Sequence, residues 1–186
     1  MSTFSGQDHW VQRTLSFVAN SSSTTIEFLS LNSGSQGPAL DDVRLTVASA
    51  GYLTPFGTGC PGTNGTPTLL PNQMPFVGQP FSVVLSQLPV NSFGLLVLGN
   101  DQSGAPNGVA SLNGIGMPGC TLYANLNFLS LIPSTGPFGA YVWGDVLPNQ
   151  PQLQGALFTL QFFFADAAAN AAGISATNGA IGRVGW

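Results

Sequence analysis

Few residues in this chain could carry out acid–base chemistry. The 186 residues include seven acidic residues, three arginines, one histidine and no lysine. A general acid–base pair needs two poised carboxylates or a histidine with a partner. Asp41 and Asp42 are adjacent and would point to opposite faces of a strand, and His9 stands alone in a polar segment, which favours a solvated histidine. No phosphate-binding loop, G-x-S-x-G turn or HExxH motif is present, so the sequence predicts that the protein is not an enzyme.

The two cysteines, Cys60 and Cys120, each lie in a turn rich in Gly and Pro. Neither belongs to a CxxC pair, and a single histidine cannot complete a zinc site with them. A reactive thiol would need a nearby base, which neither turn shows. The alternative is one disulfide that closes a loop of about 60 residues, worth about 4 kcal/mol in the chain-entropy description. Such a bond implies an oxidising, extracellular compartment.

Several aromatic residues could bind a ligand or a neighbouring subunit. Trp10, Tyr141, Trp143 and Phe138 could stack on sugar rings, with Asn and Gln as polar partners. Packing in the core or at a subunit contact explains the same residues equally well. Trp186 ends the chain and could dock on its own domain or on the next subunit.

Charged residues make up only 5% of the chain, against about 25% in an average soluble domain. Three scattered arginines cannot form the basic patch that nucleic-acid binding requires. No apolar run approaches the roughly 18 residues that span a bilayer, so no membrane insertion is expected. The composition is that of a durable secreted material.

Apolar and polar residues alternate with the period of two that is typical of half-buried strands. The pattern predicts an all-β fold, a β-sandwich of jelly-roll or immunoglobulin-like type. About three strands are predicted in residues 11–47. The composition becomes rich in Gly and Pro beyond residues 48–54, and this boundary divides the chain into domains 1–50 and 51–186. The second domain is predicted to hold strands at 68–70, 81–85, 93–98, 120–126, 128–132, 139–143, 157–164, 173–176 and 180–184.

The N-terminal residues 9–48 resemble the closing strands of a galactose-binding-like jelly roll. The resemblance lies in Leu15–Ala19, in Thr24–Phe28 and in the run Gly37-Pro38-Ala39-Leu40-Asp41-Asp42-Val43. The first half of such a jelly roll is absent, and missing strands leave unpaired backbone edges. Either a neighbouring subunit completes these strands by strand addition, or they pack on the chain's own sandwich.

Residues 52–186 resemble the C-terminal β-sandwich module of large secreted proteins from planctomycetes and similar bacteria. The matching marks are Phe56–Gly62, Gly116–Cys120, Gln161, Asp166, Gly173 and Thr177-Asn178-Gly179. The resemblance implies secretion, paired cysteines and a surface module without a catalytic role.

A structural calcium ion is the one cofactor that the jelly-roll resemblance implies. Asp41, Asp42 and Glu27 are the oxygen donors available, and calcium takes six to eight oxygens. The alternative is that the two aspartates cap the start of a strand and pair with Arg44.

The sequence thus predicts a secreted, non-enzymatic structural or adhesive protein of the bacterial cell surface. It is expected to assemble with copies of itself into a filament or lattice by strand addition. The alternative is a carbohydrate-binding module of a larger secreted protein, with glycans as partners.

Overall fold

The chain divides into two units, Met1–Thr46 and Val47–Trp186. The computed structural model describes Arg13, Leu15, Phe17 and residues 23–29, 41–45, 50–100 and 110–186. His9 and Trp10, which the sequence analysis singles out, lie outside these residues.

Eleven strands form in the described part of the second unit. They are β1 (Tyr52–Phe56), β2 (Thr68–Gln73), β3 (Pro80–Ser86), β4 (Gly94–Asn100), β5 (Ala110–Ser111), β6 (Thr121–Leu122), β7 (Phe128–Ile132), β8 (Tyr141–Val146), β9 (Leu157–Ala165), β10 (Ile174–Ala176) and β11 (Gly179–Arg183). Two short 3-10 helices cover Asn113–Ile115 and Pro151–Leu153. In the part of the chain that the structure describes, no helix has the length and apolarity to span a bilayer.

The strands form two larger antiparallel sheets and one short ribbon. The main sheet has the order β1-β11-β9-β4-β7, and β10 also pairs with β9. The short sheet has the order β2-β3-β8, and β5 pairs with β6 in the β5–β6 ribbon. The predicted all-β sandwich is therefore confirmed.

Strand β9 lies at the centre of the main sheet, and every second residue from Phe158 to Phe164 lies on its inner face. Phe158, Leu160, Phe162 and Phe164 are buried in one cluster with residues of the short sheet. From the short sheet the cluster takes Leu69, Phe81, Val83 and Leu85. The space between the two sheets is thus a single apolar core.

The other face of β9 is covered as well. A second buried cluster contains Cys60, Leu112, Met117, Cys120 and Ala176, with Phe163 of β9 packed against it. These residues come from the loop after β1, the β5–β6 ribbon and β10. Because both of its faces are covered, β9 is nearly all apolar rather than strictly alternating.

The predicted strands of the second unit agree with most of those in the structure. The strand predicted at residues 120–126 is shorter, however, and β6 ends at Leu122. The reason is that the next backbone N–H, at Tyr123, donates to the side chain of Gln161 instead of to a strand. Strands β1 and β5 were not predicted, since Pro and Gly dominate the sequence around them.

The first unit carries no strand in its described residues, Arg13, Leu15, Phe17, 23–29 and 41–45. The predicted N-terminal strands are therefore absent from 23–29 and 41–45, and the remainder of them lies outside the described residues. Alternation alone does not make a strand, because the backbone also needs a hydrogen-bonded neighbour. The apolar side chains of the described residues are exposed: Leu15, Phe17, Ile26, Phe28, Leu29, Val43 and Leu45.

We expect Phe162→Ala to lower the free energy of unfolding by about 3–5 kcal/mol, because the ring is fully buried between the sheets. Phe138→Ala is the matched control, since Phe138 is 89% exposed and its loss should change stability by less than about 0.5 kcal/mol. Urea unfolding followed by fluorescence measures both. Equal effects of the two substitutions would contradict the position of the core.

Candidate functional site

Cys60 and Cys120 form the predicted disulfide, which is confirmed, so neither thiol is free. Their Cα atoms lie 5.2 Å apart. The N–H of Cys60 donates to the carbonyl of Ala176 at 2.7 Å, next to the main sheet, whereas Cys120 lies at the start of β6. The bond thus fastens the loop after β1 to the β5–β6 ribbon, over the outer face of the main sheet.

Gln161 connects three backbone segments through one buried amide. Its Oε1 accepts the N–H of Tyr123 at 2.8 Å. Its Nε2 donates to the carbonyls of Thr121 at 3.1 Å and Thr177 at 2.9 Å. The side chain is 1% exposed, so it stabilises the chain around β6 against β9 and the β10–β11 connection.

Asn178 makes a similar connection between the two sheets. Its Oδ1 accepts the N–H of Leu69 at 2.8 Å, and its Nδ2 donates to the carbonyl of Leu69 at 3.3 Å. The neighbouring Thr177 hydroxyl accepts the N–H of Phe162 at 3.1 Å. Both side chains are buried, and buried polar groups need partners of this kind.

Asp166 holds the turn that carries the first cysteine. Its Oδ2 accepts the N–H of Thr63 at 2.8 Å, and the carboxylate is only 5% exposed. Asp166, Gln161 and Asn178 are all among the residues on which the resemblance of 52–186 to the secreted bacterial module rests. In this structure each one fixes backbone segments to one another.

Tyr123 packs beside the loop after β1. Its ring lies edge-on to Phe56 with centroids 5.2 Å apart, and its hydroxyl accepts the N–H of Thr58 at 3.1 Å. Burial raises the pKa of Tyr123, but hydrogen bonds with Thr58 and Thr121 outweigh it and hold the pKa below the usual value for tyrosine. The ring thus holds the loop that contains Cys60.

The residues predicted to bind calcium make local contacts. The Nε of Arg44 donates to Asp42 Oδ1 at 2.7 Å, which is the pairing with Arg44 expected as the alternative to a metal site. Asp41 Oδ1 accepts the N–H of Asp42 at 2.8 Å. Among the residues that the structure describes, no three acidic, His or Cys side chains group in a way that could hold a metal ion. Both partners of the ion pair are largely exposed, so it contributes little to stability. Calcium binding, to which Glu27 was also assigned, stays a prediction.

Two of the predicted ligand-binding aromatics face the core. Trp143 packs edge-on against Phe81, with centroids 5.3 Å apart, and against Phe162 at 5.8 Å. Tyr141 lies against the same core cluster. Trp186 is half-buried and follows Gly185, whose N–H donates to the carbonyl of Pro75 at 2.8 Å. Glycan binding by these residues stays a prediction.

Strand β7 exposes several large apolar side chains. Phe128 is 56% exposed, Leu129 52% and Leu131 68%. One edge of the strand pairs with β4, and no described residue pairs with the other edge. The backbone groups of that edge and the apolar side chains therefore lie together at one border of the main sheet.

Three other border strands of the two sheets carry features that oppose pairing with another chain. Strand β1 contains Pro55, and β2 contains Pro71 followed by a shift in register. Strand β8 contains Gly144 and Asp145. Proline, bulges and charges are the usual protection of an exposed edge. Strand β7, with the sequence Phe-Leu-Ser-Leu-Ile, has none of them.

The sequence predicts the bounds of β7 but not that this strand lies exposed at the border of a sheet. Two signals were available. The chain has no charged side chain between Asp101 and Asp145, and the residues of β7 are apolar on both faces rather than alternating. Only the strand order shows that β7 lies at a border, because a central strand has the same kind of sequence.

No protein-family model matches this chain, and no curated protein does. The two resemblances, over residues 9–48 and 52–186, therefore stay predictions.

Removing the disulfide should destabilise the second unit. We expect Cys60→Ser with Cys120→Ser to lower the free energy of unfolding by about 4 kcal/mol, because the link closes a loop of 60 residues in the unfolded chain. The loss should be measured by urea unfolding. Wild-type protein unfolded in the presence of a reductant is the control and should show the same loss, while an unchanged midpoint would contradict a structural role.

We expect Gln161→Met to lower the free energy of unfolding by at least about 2 kcal/mol, since one buried and two partly buried backbone groups lose their partner. The N–H of Tyr123 should also exchange faster with solvent in hydrogen-exchange measurements. Gln152→Met is the control, since Gln152 is exposed in the second 3-10 helix. Unchanged protection of Tyr123 would show that Gln161 does not hold it.

Proposed function

We propose that this protein is a non-enzymatic, extracellular structural or adhesive protein that assembles with copies of itself. Strand addition joins the copies into a surface filament or lattice. The observation that carries the proposal is the unprotected apolar edge of β7, with three side chains more than half exposed.

An exposed strand edge favours association for two physical reasons. Its backbone N–H and C=O groups can pair with a strand of another chain, and its apolar side chains leave water when they do. The absence of charges between Asp101 and Asp145 removes the repulsion that otherwise keeps such edges apart. The contrast with the three protected border strands points to β7 as the contact.

The compartment is proposed from the disulfide and the composition. A disulfide that fastens two loops of a small domain is typical of secreted proteins. The absence of lysine and the presence of only three arginines leave few bonds for trypsin-like proteases. Both features suit a protein that has to persist outside the cell.

A filament needs a second contact besides β7, because two copies that pair through the same edge form a closed dimer. The N-terminal unit supports such a contact. Its described residues Ile26 and Phe28 are exposed and separated by one residue, the spacing of one face of a strand. In the proposed assembly this segment pairs with the N-terminal unit of a neighbouring subunit, so that each segment supplies the other with a hydrogen-bonded neighbour.

The 186-residue chain is expected to form species much larger than its own mass of 19.2 kDa at micromolar concentration. Light scattering after size-exclusion chromatography measures the mass, and electron microscopy shows whether filaments or lattices form. The mass should hold at high salt, because the contact does not depend on ion pairs.

Leu131→Lys should reduce this mass, because it places a charge on the exposed edge of β7. Ile115→Lys is the matched control, since Ile115 is 63% exposed in the first 3-10 helix and away from the sheet borders. Both variants should melt like the wild type. A wild-type monomer at micromolar concentration would overturn the proposed function, and monomeric protein that binds a glycan array would favour the carbohydrate-binding alternative.

A further inference from the structure

The sequence of β7 has the same pattern in both chain directions. Ser130 lies at its centre, Leu129 and Leu131 flank it, and a large apolar residue stands at each end, Phe128 and Ile132. In an antiparallel pair, the residues of the second strand lie beside the first in the reverse order. Strand β7 is therefore complementary to a second copy of itself.

We infer that β7 pairs antiparallel with β7 of a second copy of this chain, around a two-fold axis that passes by Ser130. The inference rests on the proposed self-association and names the partner at that edge. In this register Ser130 faces Ser130 of the partner subunit, and Leu129 faces Leu131 of the partner subunit. Phe128 then lies opposite Ile132 of the partner subunit.

The pairing of β7 with β4 determines which face each side chain takes. Leu129 lies opposite Val97, and Leu131 lies opposite Leu95. Successive side chains of a strand point to opposite faces, so the two leucines share one face and Phe128, Ser130 and Ile132 the other. The two-fold pair thus brings four leucines together on one face, where they extend the apolar rows of β4.

The inner face gains a different set of contacts. Ile132 is 1% exposed and already part of the core, whereas Phe128 is 56% exposed. In the pair, the ring of Phe128 comes opposite Ile132 of the partner subunit and leaves water against the surface that covers that residue. The two Ser130 hydroxyls meet at the axis and can hydrogen-bond to each other, which is a favourable cross-strand pair.

Other registers are poorer. A shift by one residue moves every side chain of the second strand to the other face, which places serine against leucine. A two-fold axis moved from Ser130 to Leu129 pairs only residues 128–130. The register centred on Ser130 is the one that pairs all five residues of β7.

A second copy fits this edge better than the N-terminal segment of the same sequence. Residues 23–29 carry Glu27 between Ile26 and Phe28. Added beside β7, that segment would bring a carboxylate next to an uncharged apolar edge, where it would be desolvated without a cation. The β7 pair buries no charge.

Cysteine cross-linking of the full chain tests the register. Ser130→Cys should shift most of the protein from monomer to dimer mass on a non-reducing gel after mild oxidation, because facing residues have Cα atoms about 5 Å apart. Ile115→Cys is the exposed control and should stay monomeric. Mass spectrometry should show the Cys60–Cys120 bond intact in both variants.

Two further variants test the same register without changing its centre. Leu129→Cys and Leu131→Cys should each cross-link poorly with themselves, since the diagonal separation is about 7–8 Å. A mixture of the two should cross-link, because these positions face each other in the pair.

The outcomes distinguish a failure of the β7 pair from a failure of the proposed self-association. A wild-type assembly whose Ser130→Cys variant gives no dimer overturns the β7 pair and leaves self-association standing. Self-cross-linking of Leu129→Cys without cross-linking in the mixture also overturns this register. A wild-type monomer overturns the proposed function and the pair together.

Discussion

The second unit depends on the burial of β9 on both faces. The short sheet covers the inner face through an apolar core around Phe162, and the β5–β6 ribbon with the loop after β1 covers the outer face. A single sheet exposes one face to water, so a strand this apolar requires a second cover. The loop after β1, the disulfide and the buried amide of Gln161 all serve that outer cover.

Buried polar side chains determine where the segments of the outer cover lie on the sheet. Apolar burial alone does not determine where an irregular loop lies, because it has no direction. Gln161 and Asp166 each bind named backbone groups of that cover, and the Cys60–Cys120 bond adds a covalent link, whereas Asn178 binds the short sheet on the inner side. Neither the ribbon nor the described part of the loop after β1 pairs with the outer edge of β7.

Much of the second unit could be predicted from its sequence, and particular elements show why. The bounds of β7 and β9 follow from apolar runs ended by Pro, Asn or Asp, and the disulfide follows from two isolated cysteines in turns. The strand at β1 was missed, because Pro55 and the surrounding glycines hide a strand that exists only by pairing with β11. In the N-terminal unit the reverse holds: alternation is present at Ile26 and Phe28, but residues 23–29 form no strand.

The sequence by itself determined the fold class, the cysteine pair and the absence of charge from residues 102–144, since these depend on composition and local period. Which strand lies at a border was decided only by the tertiary structure, because strand order results from contacts between distant segments. The sequence of β7 suits a central strand as well as a border strand. Its position beside β4 alone, with no described strand on the other side, makes it a candidate contact.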